Sequence, residues 1–374
     1  MNDLSIKWKD FYKNVFALVV PMALQNLINV GVTAADVVML GKVSEKVLSG
    51  ASLAGQIQYI MVLFLFGLTS GATVLTAQYW GKGDKTAIEK ILALGIRSAV
   101  IITAIFTIAA FTIPASLMRI FTNDPQVIAE GVKYLRIVAC SYIIMGITNV
   151  YLYVMRSIER VIVATVVYLV SFLCNVVFNA IFIFGLFGFP ALGIRGAAIA
   201  TLIARIMELV LVCGYAKIYN KDVKFRVHYF LHQDKLLVRD FLVYSLPVVL
   251  NEVMWGLGTS ANTAILGHMG SSAVAANSVA QVARQLATVV SFGLSSATAI
   301  GERKSDHARA YAKRFIILSV VMGVIGGGLI LIASPVVISF LSLSATARYY
   351  LKMMFYVMSY FVIAQAFNTT MVVG

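Results

Sequence analysis

Apolar runs of about twenty residues or more alternate with short polar breaks along nearly the whole chain. A run of that length crosses about 30 Å of hydrocarbon as a helix. In lipid every backbone amide must find its partner within its own segment, so open sheets are excluded. The pattern predicts ten spanning helices, at residues 14–41, 48–80, 91–117, 131–155, 160–186, 191–216, 239–267, 273–300, 313–340 and 347–374. The first stands behind the charged start MNDLSIKWKDFYK with no small-residue cleavage site after it, so it is expected to stay in the membrane.

The spans repeat. At an offset of 226 residues Pro21 meets Pro247 and Gly41 meets Gly267, and LVVPMALQNLINVGVTAADVVMLG parallels YSLPVVLNEVMWGLGTSANTAILG. Asp36 then falls opposite Asn262, and Asn26 opposite Glu252. FGLTSGAT at 66–73 meets FGLSSATA at 292–299 in the same register. Six spans in the first copy, an even number, give both copies the same orientation, a parallel repeat about an axis along the membrane normal. The expected fold is an all-α membrane protein of two six-helix lobes, with an N-lobe at 1–220 holding spans 1–6 and a C-lobe at 221–374 holding spans 7–10. The register slips by about six residues where GKGDKTAIEK at Gly81 answers GERKSDHARA at Gly301, which shortens the second copy after its eighth span. Ten spans of an expected twelve are present, and the pattern attributes the difference to an incomplete sequence rather than to a naturally ten-span protein.

Composition agrees with this solvent: 60% of the residues are apolar, 12% are charged, and the mean hydropathy is +0.89. The net charge of +14 reads as orientation rather than as a nucleic-acid surface, because with the N-terminus inside nineteen Lys and Arg fall in inner segments and eight in outer ones. The largest basic stretch, KIYNKDVKFRVHYFLHQDK, reads as an orientation signal that also has the charge to meet anionic lipid. A plasma (inner) membrane protein with its N-terminus in the cytoplasm, acting as a monomer, is expected. Cys140, Cys174 and Cys213 are far apart within spans and are expected to be packing residues. All four histidines are expected in loops, which leaves any proton coupling to carboxylates. Gly323 and Gly327 form a GxxxG expected to pack closely on another helix. Without HExxH, GxSxG, a Walker loop or GxGxxG, neither an enzyme nor an ATP-driven pump is expected.

Polar residues inside spans each need a reason, since an ionised carboxylate at the bilayer centre costs about 2.5–3.5 kcal/mol even on the lenient insertion scale. Asp36 has no Lys or Arg within a turn on either side and reads as a cation or proton site. CNVVFNA places Asn175 and Asn179 on one helical face, and GAAIATL gives Ala197 and Thr201 the same spacing. A carboxylate, two amide oxygens and a hydroxyl make a hard-oxygen set suited to a small alkali cation, while an Asn pair by itself serves equally as interhelical glue. In the seventh span Glu252 follows Pro247, a residue that frees a backbone acceptor and opens the helix locally. Asn251, Trp255 and Asn262 share that span, and Trp255 offers a face on which a flat cation can stack. Arg284 is expected to pair with Glu252 or a backbone carbonyl, while Arg97 and Arg205 are placed nearer span ends.

These segments together resemble the multidrug and toxic compound extrusion (MATE) transporters. The resemblance covers essentially the whole chain and rests on ADVVMLG, FGLTSGATVLTAQYWGKGD, CNVVFNAIFIFG, LGIRGAAIATLIAR, SLPVVLNE and FGLSSATA. It implies two six-helix lobes facing a central cleft, exchanging Na+ or H+ for cationic drugs by alternating access, without a further cofactor. It also implies an N-lobe cation site at Asp36, Asn175, Asn179, Ala197 and Thr201, with Glu252, Asn251, Trp255, Asn262 and Arg284 as candidates for substrate contact or C-lobe coupling. Glu252 departs from the family pattern by standing about one turn nearer the proline. A lipid or lipid-linked saccharide flippase on a related scaffold is the alternative, and it would be expected to carry more arginines in its cleft.

Overall fold

The computed structural model describes residues 27–28, 30–220, 222–231, 234–299 and 305–372. Regular structure among them is entirely helical. In chain order it comprises α1 (30–43), α2 (Glu45–Gly81), α3 (Lys85–Thr112), α4 (Pro114–Arg119), α5 (Pro125–Val138), α6 (Tyr142–Ser157), α7 (Val161–Phe184), α8 (Ile194–Ile218), α9 (Val227–Leu231), α10 (Lys235–Met269), α11 (Ser271–Ala299), α12 (Ser305–Phe340) and α13 (Ala345–Val372).

Short polar residues set the helix starts. Ser44 accepts from Val47 N at 3.2 Å, Asp84 from Ala87 N at 3.0 Å, Asp124 from Gln126 N at 2.9 Å and Asp234 from Leu236 N at 3.1 Å. Each satisfies an amide that the first turn leaves without an intrahelical acceptor. Gly185, at φ +72°, ends α7 in the left-handed region that a side chain avoids, and Gly270, at φ +117°, breaks α10 from α11.

Eight spans long and apolar enough to cross a bilayer are present among the described residues, with Pro125–Ser157 crossing as one despite the 3₁₀ turn at Ala139–Ser141. They answer to the second through seventh, ninth and tenth predicted spans. Most of the first predicted span lies outside the described residues, and α1 is its described end. The eighth is α11, long enough to cross but interrupted by Asn277, Gln281, Arg284 and Gln285, so it falls outside that set.

One compact unit comprises 39–275. Within it α2 is the central post, packed against α3, α5, α6 and α10. Small residues allow that approach: Gly67 lies against Val249, Gly71 against Ser245, and Gly256 against Leu63. Leu53, Met61, Ile88, Leu92, Leu135 and Tyr142 fill the interior, while Ile105, Ile108, Ile162 and Leu173 stand exposed, as side chains that meet hydrocarbon do. At one end Asp222 accepts from Lys85 Nζ and Arg160 Nη2, both at 2.9 Å, and Glu89 takes Arg226 Nε at 2.7 Å and Lys224 N at 3.0 Å. The basic connection after α8 is thereby strapped to the start of α3. The hydrogen bonds from Lys85 and Arg160 hold the Asp222 carboxyl below the usual aspartate value. At the opposite end burial acts to raise Asp124, but the hydrogen bonds from Lys46 and from the amides of Gln126 and Val127 outweigh it and leave the carboxyl lowered.

The other unit comprises 1–38 and 276–374. Its α12 and α13 pack closely through the expected GxxxG. A Cβ on Gly323 would lie 2.9 Å from Ile363 Cα, and one on Gly327 would run into Ser359 O. Gly326 faces α11, where a Cβ would sit 2.8 Å from Ala287 O.

Two expectations are corrected here. Cys140 and Cys213 are exposed and only Cys174 is half-buried, so the first two are surface side chains rather than packing residues. Their helical spans gave no sign of which face each would take. His228, His268 and His307 lie within α9, the last turn of α10 and α12, because those helices extend beyond their apolar stretches; His232 lies outside the described residues.

Candidate functional site

The facing stripes of α7 and α8 carry the polar residues singled out by spacing. Asn175 and Asn179, one turn apart on α7, are 2% and 0% exposed, and on α8 Ala197 and Thr201 are 1% and 9% exposed. Asn179 Nδ2 donates to Asn175 Oδ1 at 2.9 Å, and Asn175 Nδ2 donates to Thr201 Oγ1 at 3.4 Å. Three polar side chains thus share one buried seam, with Ala197 leaving room a turn above Thr201. Asp36 is half-buried on α1, in the other compact unit.

On α10 the helical wheel separates two functions. Ser245, Gly256, Ser260, Thr263 and Gly267 are buried, and Ser245 and Gly256 meet α2 directly. Asn251, Trp255 and Asn262 share another face about 125° away and are exposed, Trp255 at 68%. Glu252 stands between the two faces, half-buried. Arg284, half-buried on α11, donates through Nη1 to Gln365 Oε1 on α13 at 3.4 Å, a partner the sequence reading did not name.

The reading of Arg205 needs correction. It is not near a span end but the twelfth residue of the 25-residue α8, and its Nη1 donates to Glu208 Oε1 at 2.6 Å. Glu208, with its side chain 2% exposed, is an intramembrane carboxylate that sequence reasoning passed over. The signal was available in RIMEL, an Arg and a Glu at i and i+3 inside an apolar run.

A cavity of about 450 Å³ lies elsewhere in the same unit, between α2, α3, α4 and α10, lined by Ile57, Ile105, Phe106, Leu117, Phe121 and Leu257 among others. It is almost wholly apolar, and of the residues above only Ser260 lines it.

The MatE family model matches residues 21–181 and 247–372. Among curated relatives, a probable multidrug resistance protein NorM of Agrobacterium fabrum is 22% identical over 334 residues, covering 88% of this chain and 72% of that protein. The NorM of Rhizobium meliloti is 26% identical over 294 residues, with 78% and 62% covered. The probable multidrug resistance protein YoeA of Bacillus subtilis is 23% identical over 273 residues, with 71% and 59% covered. The chain therefore spans between 59% and 72% of the length of these three relatives. Among solved structures, an inward-facing multidrug resistance MATE family transporter of the MOP superfamily matches with a TM-score of 0.77 at 17% identity, covering 95% of this chain and 85% of that one. An outward-facing conformation of such a transporter matches at 0.73 and 20%, with 95% and 80% covered.

Proposed function

We propose that this chain, which belongs to the MatE family, is a secondary active antiporter and not an enzyme, exporting small cationic organic compounds from the cell in exchange for Na+ or H+. The observation that carries this reading is the buried Asn175, Asn179 and Thr201 set, hydrogen-bonded to itself inside a span. Amide and hydroxyl oxygens there, with Ala197 leaving space and the Asp36 carboxylate supplying charge, have the chemistry to hold Na+, and Asp36 alone suffices for a proton. Substrate meets the polar face of α10, where Asn251 and Asn262 offer hydrogen bonds, Trp255 an aromatic face and Glu252 a negative charge. Arg284, tied to Gln365, helps to hold α11 against α13 in this scheme. Cation binding at the first set favours the state that releases substrate outside, because a ligand shifts an equilibrium only by its differential affinity for the two states. The protein sits in the plasma membrane with its N-terminus inside and works as a monomer.

The test is efflux of ethidium from liposomes or cells under separately imposed Na+ and pH gradients. Efflux should follow one of the two gradients and vanish in Asp36→Asn. Undiminished efflux in that variant would remove Asp36 from the cation site, and efflux indifferent to both gradients would end the antiport reading.

A further inference from the structure

The polar seam does not stop at Thr201. On α7 Ser171 and Tyr168 continue the face of Asn179 and Asn175, and on α8 Arg205 and Glu208 continue that of Thr201. Ser171 Oγ donates to Ala204 O at 3.4 Å, between the two stripes. Tyr168 OH donates to Asn149 Oδ1 on α6 at 3.2 Å. The Arg156 guanidinium, at the end of α6, lies 5.2 Å from the Tyr153 ring and 5.5 Å from the Tyr168 ring. Among the described residues, buried Arg156 Nε has no hydrogen-bond partner. Polar side chains thus run from the Asn175 set down the bundle towards the end strapped by the 219–226 loop. Glu208 stands on that line about 10 Å along α8 from Thr201, at 1.5 Å per residue.

A buried ion pair is a poor device for stability alone, since apolar residues of similar volume do as well or better. This one is also incompletely satisfied. Arg205 Nη1 reaches Oε1, and among the described residues no donor reaches the second carboxylate oxygen. A carboxylate with an open oxygen inside a span, beside hydroxyl and amide groups, is chemistry suited to receiving a small cation.

We propose that Glu208 is a second station for the coupling cation, taking up Na+ or H+ on its way between the Asn175, Asn179 and Thr201 set and the 219–226 end of the protein. The proposal rests on the antiport reading above. The groups facing the carboxylate are Arg205 on its own helix and Tyr168 on α7, with Tyr134 on α5 beside Arg205 and Tyr153 and Arg156 on α6 beside Tyr168. A cation arriving at Glu208 neutralises the charge that holds Arg205. The freed guanidinium then keeps only its aromatic neighbours, and its positive charge drives the cation onward.

The test compares gradient-driven ethidium efflux with gradient-free ethidium exchange, using the full chain in liposomes. In Glu208→Gln, gradient-driven efflux should fall at least about tenfold while exchange stays within about twofold, a loss on the scale of ordinary coupling free energies. Glu208→Asp should recover part of the coupling. The double variant Arg205→Gln with Glu208→Gln removes both charges together, so it leaves no charge buried alone. If the pair only supports the bundle, the double variant regains gradient-driven efflux, and the proposal is overturned. If Glu208 carries the cation, the double variant exchanges ethidium and stays uncoupled. Exchange and driven efflux falling together in Glu208→Gln and in the double variant would also overturn it. Wild-type protein that ignores both gradients would instead defeat the antiport reading itself, and this proposal with it.

Discussion

Asn175 stands with its oxygen taken by Asn179 and its amide nitrogen given to Thr201. Truncating the hydroxyl leaves a buried donor without an acceptor, which costs about 1–3 kcal/mol. Thr201→Ala should therefore lower the thermal midpoint in detergent and weaken gradient-driven efflux, whereas Thr201→Ser keeps the acceptor and should lie close to wild type. Equal midpoints for the two variants would show that the hydroxyl is not part of the set. Asp222 gives a second residue-scale expectation. Its carboxyl is lowered by the Lys85 and Arg160 hydrogen bonds, so its contribution to stability is present above the ordinary aspartate value of about 3.9 and is lost as pH falls through the lower, folded value. The midpoint difference between wild type and Asp222→Asn should be present at neutral pH and shrink only in strong acid. Because these groups are partly exposed, that difference should be small and fall further with added salt. The Asn pair was legible in the sequence because i and i+4 spacing needs no tertiary knowledge. Glu208 was passed over although RIMEL sets an Arg and a Glu at i and i+3 inside an apolar run; what the sequence does not give is how deeply that pair is buried.

At the scale of elements, helix type and span positions followed directly from apolar length, because lipid leaves the backbone no other economy. The starts of α2, α3, α5 and α10 at Ser44, Asp84, Asp124 and Asp234 follow from capping chemistry. Which faces meet is a different question, since hydrocarbon and protein interior are equally apolar and hydropathy does not tell them apart. Exposed Cys140 and Cys213 are instances, as is the polar dilution that makes α11 a weaker span signal than its neighbours. Small residues are the cue that survives. Gly327 presses on Ser359 O and Gly323 on Ile363, so Gly327→Leu must push α12 away from α13. Overpacking of this kind costs about 1–3 kcal/mol or more. The variant should show faster proteolysis and a lower midpoint, whereas Gly328→Ala, with open space around it, should be neutral or slightly stabilising.

At the scale of the whole chain the repeat makes a prediction of its own. Ser271 Oγ donates to Glu45 Oε1 at 2.9 Å, and the two residues are 226 apart, the same offset that superposes the two copies. Glu45 also accepts from Ser272 Oγ at 2.7 Å, and Ser49 Oγ donates to Ser271 O at 2.8 Å, so the starts of α2 and α11 are fastened together there. The carboxylate faces the first turn of α11, where the helix dipole favours negative charge. Glu45→Ala removes an ionised acceptor shared by two hydroxyls, a loss of about 1.5–3 kcal/mol per charged hydrogen bond before water replaces it. Amide exchange at the starts of α2 and α11 should then quicken together, while Glu45→Gln, which keeps one acceptor oxygen, should quicken them less. Exchange that rises at α2 alone would mean the two starts are not coupled through this residue.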